Sequence, residues 1–113
     1  MGSTYTKDDI AYADDRIAIT MIRHNILIDD RWLTRALLAI YKNQTTDEQC
    51  TQGTKYRNGL GFGAADAEIL TSFSQQLINR GMLSSKQLEI ARKKMGKYCK
   101  QLLMTARENA QAA

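Results

Sequence analysis

The sequence predicts an all-α fold: a small orthogonal or antiparallel bundle of four to five helices with a C-terminal α-hairpin. Three observations lead there. The 113 residues contain no proline, so long helices meet few breakers. Several stretches repeat apolar residues at three- and four-residue intervals, the stripe of a helix with one buried face. The connections between them are short, which favours antiparallel neighbours. At this length one core is expected, so residues 1–113 form a single domain, with 1–5 and 109–113 frayed.

The sharpest stripe lies in Ser84–Arg107. At about 100° per residue, Leu88, Ala91, Met95, Tyr98, Cys99, Leu102 and Ala106 share one arc. Lys86, Lys93, Lys97 and Lys100 fall opposite, with Arg92, Lys94 and Arg107 on the flanks. Ser84 and Gln87 have the spacing of a capping box.

Upstream, Thr6 is placed to cap one helix over residues 7–25, with Asp8 and Asp9 in its first turn and Ile10, Ala13, Ile17 and Met21 on one face. The β-branched run Ile17–Ile22 also fits a strand, although a lone strand has no partner. Asn25–Ile28 reads as a connection, after which Asp29 or Asp30 caps a helix carrying Leu33, Leu37, Ile40 and Tyr41, with Trp32 and Ala36 on its shoulders. Gln44–Thr46 reads as an interruption, restarted by the overlapping boxes Thr45–Glu48 and Thr46–Gln49. Residues 50–63 form one long loop. A further helix, 64–80, turns Ile69, Leu70, Phe73 and Leu77 inward and ends at Gly81, a left-handed cap.

Charge is unevenly placed. Residues 1–50 hold 6 Lys+Arg against 8 Asp+Glu, net −2; residues 51–113 hold 10 against 4, net +6, which together give the chain's +4. The basic half is a candidate for an anionic partner. Lys93, Lys97 and Lys100 lie within one or two helical turns, a spacing that follows a phosphate backbone. Such contacts give affinity without base choice. The same strip also fits a solvated helix face. The loop before residue 64 adds Lys55 and Arg57, with Tyr56 or Phe62 placed to stack on an unpaired base. Its glycines equally allow tight turns that tuck Phe62 onto the core. The loop lacks a GK[ST] ending, and Asp66 at the cap satisfies the helix-start N–H groups and repels phosphate, so it is a poor nucleotide loop.

Other chemistry finds little support. There is one histidine and two cysteines without CxxC spacing, so a four-ligand metal site lacks donors. Cys99 reads as a small apolar core residue; a Cys50–Cys99 disulfide would be unusual in a reducing compartment. Adjacent acids in the pairs Asp8–Asp9, Asp14–Asp15 and Asp29–Asp30 point about 100° apart on a helix, and two of the pairs lie at helix starts, so they read as capping and solubilising residues. No nucleophile–base pair or cofactor box is evident, so no enzyme and no cofactor is expected. Nothing resembles a membrane span or secretory signal, which makes a cytoplasmic protein the expectation.

The series Tyr41, Gln44–Thr45, Glu48, Asn58–Gly59–Leu60–Gly61–Phe62, Asp66–Ala67, Leu70, Gly81–Met82–Leu83–Ser84–Ser85–Lys86–Gln87, Ala91–Arg92–Lys93–Lys94–Met95, Lys97–Tyr98 and Gln101–Leu102 resembles a helical segment of uncharacterised phage and plasmid proteins, also found beside helicase-like domains. It covers about residues 33–103. Its most specific parts, the NGxGF…DA loop and the leucine–serine–x–x–glutamine helix start, are a turn and a cap. The resemblance implies a mobile-element accessory protein in a nucleic-acid setting and assigns no catalytic residue.

The expectation is thus a non-enzymatic nucleic-acid-binding protein that favours single strands over duplex. Its contacts are Lys55, Arg57, Phe62, Lys86, Arg92, Lys93, Lys97 and Lys100. The alternative is an adaptor or inhibitor of a host defence or replication protein. A homodimer follows if the acidic half of one chain meets the basic half of another.

Overall fold

The computed structural model describes residues 4–51 and 61–112, with backbone alone for 44–51 and 111–112. The elements are α1 (Lys7–Ala11), α2 (Asp15–Ile28), α3 (Asp30–Thr51), α4 (Ala67–Arg80), α5 (Ser85–Met95), a 3₁₀ turn (Gly96–Tyr98) and α6 (Cys99–Ala112). The fold is an all-α bundle, with no strand among the described residues. Its hub is α3, which packs against α2, α4, α5 and α6, while α1 lies on α2 and α6. Leu33, Leu37 and Ile40 of α3 are fully buried among Ile22 and Ile26 of α2, Leu70 and Phe73 of α4, and Met95, Leu102 and Leu103.

The first expected helix is two. The Thr6–Asp9 capping box starts α1 as the sequence indicates, but the helix stops at Ala11. The reason lies far along the chain. Arg107 of α6 donates to the Ala13 carbonyl at 3.0 Å and pairs with Asp15 at 2.6 Å, so the break is held by a tertiary contact. Ile17–Ile22 is helical, which settles the strand alternative: Ala18 and Ile22 face the core and overrule β propensity. Residues 25–28 are the last turn of α2 rather than a connection. Asp29 closes that helix and caps the next, its Oδ1 accepting from Arg31 N–H at 2.8 Å.

Buried Asn25 explains how the N-terminal segment is tied down. Its amide accepts from Tyr5 N–H at 2.9 Å and donates to Tyr5 C=O at 3.0 Å, so residue 5 is not frayed. The helix break expected at 44–46 is absent, since α3 continues to Thr51. The boxes Thr45–Glu48 and Thr46–Gln49 involve side chains outside the described residues. At the other end α6 runs to Ala112 instead of fraying after Glu108, consistent with the high helix propensity of its alanines.

Two local signals appear as expected. Gly81 takes φ 82° at the α4 C-cap, and Ser84 with Gln87 forms a complete capping box. Gln87 also exchanges two 2.9 Å hydrogen bonds with Gln76, tying the start of α5 to α4 across their short connection, although the two helices pack mainly on α3 rather than on each other. A Cβ on Gly81 would meet open space. Gly81→Ala therefore carries only the backbone penalty, expected at about 1 kcal/mol in a urea denaturation curve.

Candidate nucleic-acid interface

The basic face is carried by α5, the 3₁₀ turn and α6. A 3₁₀ turn advances about 120° per residue instead of about 100°, which rotates α6 by roughly 60° relative to a continuous α-helix. The basic side chains meet three fates. Arg92 turns inward, donating to the Ile26 carbonyl at 3.0 Å and pairing with Asp30. Arg107 is held by Asp15 and Ala13, as above. These two guanidinium groups are thus structural ties to the acidic N-terminal half, and Arg92 is removed from the expected contact set.

Lys94 and Lys97 meet a second group, Asp66. Its side chain is 3% exposed; Oδ1 lies 3.2 Å from Lys94 Nζ and Oδ2 lies 2.7 Å from Lys97 Nζ. The Tyr98 hydroxyl donates to Oδ2 at 2.8 Å and itself accepts from Gly63 N–H at 2.8 Å. The hydrogen bond from Lys97 is the largest influence on the carboxyl, followed by burial in the opposite direction and then by Tyr98 and Lys94. Together they bring its pKa down from 3.8 to about 2. The same Asp66 bond raises Lys97. Burial raises Tyr98, against the Gly63 hydrogen bond. Asp66 stands at the N-cap position of α4 yet makes no side-chain cap bond, contrary to the expectation that it satisfies the helix start.

Around this carboxylate the loop before α4 docks onto the α5–α6 junction. Gln101 donates to Gly61 C=O and accepts from Gly61 N–H, both at 2.9 Å. Gly61 has φ 80°, a conformation that favours glycine. Phe62 is 8% exposed and sits edge-on to Tyr98, ring centroids 6.0 Å apart. It is a core residue and cannot offer its face to a base, which corrects its place among the contacts. Lys55, Arg57 and Tyr56 lie outside the described residues, as does the side chain of Cys50. Cys99 is a free, buried thiol that burial pushes up in pKa, against the pull of Arg23.

Lys86, Lys93 and Lys100 remain. All three are exposed and make no ion pair among the described residues. They stand seven residues apart, with Lys97, still 58% exposed at its side chain, between the last two. The axial gaps are about 10 Å for the first pair and about 12 Å across the 3₁₀ turn. Exposed Glu89 is the one acid within this row.

The Asp66 cluster was missed because local logic made that residue a cap; Lys94 and Lys97, three apart and followed by Tyr98, were its readable signal. Among the described residues no three His, Cys, Asp or Glu are grouped to hold a metal ion, and no helix is long and apolar enough to cross a membrane. Comparison with family models, curated proteins and solved structures finds no match for this chain.

Proposed function

We propose that this chain is a non-catalytic module that binds the sugar–phosphate backbone of nucleic acid through Lys86, Lys93 and Lys100, with Lys97 as a fourth contact. The observation that carries the reading is the contrast on one helical path. Arg92, Lys94, Lys97 and Arg107 are engaged by protein carboxylates, Lys97 with its side chain still 58% exposed, whereas three lysines at seven-residue intervals face outward unpaired among the described residues. The preference for single strands loses the support of Phe62, so the proposal is backbone contact without strand choice. The accessory role in a phage, plasmid or prophage implied by the resemblance is kept as part of the same proposal.

The test is fluorescence anisotropy with labelled single- and double-stranded DNA and RNA at two salt concentrations. Three to four phosphate contacts predict a log–log salt slope of about −2 to −3.5. The triple variant K86E/K93E/K100E is expected to lose at least a hundredfold in affinity at low salt. Absence of binding at low salt, or binding indifferent to the triple reversal, removes the proposal.

A further inference from the structure

On another face, α1, α3 and α6 leave a groove of about 160 Å³. It exists because short side chains meet there: Ala36 and Ala39 of α3 face Leu102 and Ala106 of α6, and half-buried Trp32 stands at one side. Ala36 and Leu102 are nearly buried and form the floor. The exposed side chains at the mouth are Lys7, Arg35 and Asn109. Neither cation has an ion partner among the described residues, and the Trp32 indole N–H has no acceptor there. Among the described residues no carboxylate lines the groove; Asp8 and Glu108 are only sequence neighbours of lining residues. The site therefore combines an apolar floor with the neutral polar groups of Thr105 and Asn109 and, among the described residues, formal charge of positive sign only.

We propose that this groove binds an acidic protein segment that inserts one apolar side chain between flanking carboxylates. The volume suits a single leucine- or phenyl-sized anchor, since a cavity of about 150 Å³ takes benzene. The anchor covers Ala36, Ala39 and Leu102, and the flanking acids meet Lys7 and Arg35. Apolar burial supplies affinity, while the one-signed mouth supplies selectivity. On α6, Leu102 and Ala106 point away from Lys100, so the groove can fill while the lysine row stays open. The two sites make the chain a bridge between nucleic acid and an acidic protein.

Trp32 is the only tryptophan and reports on the groove directly. The experiment selects binders from a displayed library of random short peptides on the whole chain, then titrates an enriched peptide against tryptophan emission. Enriched sequences are expected to carry a large apolar residue between Asp or Glu, and to shift Trp32 emission to the blue. R35E, at an exposed position, is expected to weaken binding at least tenfold, as is A39L by filling the groove. K86E/K93E/K100E is expected to leave peptide affinity unchanged, which separates this proposal from the nucleic-acid one. An empty selection, neutral or basic winners, unchanged Trp32 emission, or wild-type affinity in R35E overturns it. So does a concentration-dependent dimer abolished by R35E, which assigns the groove to a second copy.

Discussion

Asp66→Asn is expected to lower stability by about 2 kcal/mol near neutral pH and to flatten the acid limb of the stability curve. Asparagine keeps an oxygen for the Tyr98 hydroxyl but removes the charge that faces Lys94 and Lys97. The carboxyl drops from 3.8 to about 2 on folding, which is worth about 2 kcal/mol once solvent screening at the half-exposed Lys97 is allowed for. Because the folded-state value is the lower one, the contribution is complete above about pH 4 and is lost as pH falls toward 2. Urea denaturation at neutral pH and at several points between pH 4 and 2 measures it. Parallel curves for wild type and variant across that window would refute the role of the carboxylate charge.

Leu37→Ala is expected to have the largest effect of any conservative truncation, about 3 kcal/mol and a melting-point drop of about 15 °C. Leu37 is 0% exposed on α3, which, like α2, touches four other helices, so a cavity there is shared by several packing partners. Leu27→Ala, at a side 59% exposed, serves as the control and should stay within about 0.5 kcal/mol. Thermal unfolding followed by circular dichroism checks both. Equal losses in the two variants would mean that α3 is not the hub.

What was legible in the sequence were features decided within a few residues. The Thr6–Asp9 and Ser84–Gln87 boxes, the left-handed Gly81 and the stripe of Leu33, Leu37 and Ile40 depend on local spacing. What was not legible depends on partners distant in sequence. The break after Ala11 is held by Arg107. Asp66 turns from its helix start to a cluster 28 to 32 residues away. The outward position of Lys86, Lys93 and Lys100 followed from helical phase alone. Arg92 was misassigned because phase says nothing of the carbonyl of Ile26. The groove escaped because alanines carry no chemical signature; only the pairing of α3 with α6 makes their smallness a shape.

The seating of α1 on α6, with Arg107 reaching a carbonyl 94 positions earlier, has a kinetic consequence. The contact closes nearly the whole chain into a ring, and pairings of such long sequence separation slow folding relative to local ones. Until it happens, the inward side of the last helix has no lid from the first. Folding should therefore end, rather than begin, where the two extremities of the described chain meet.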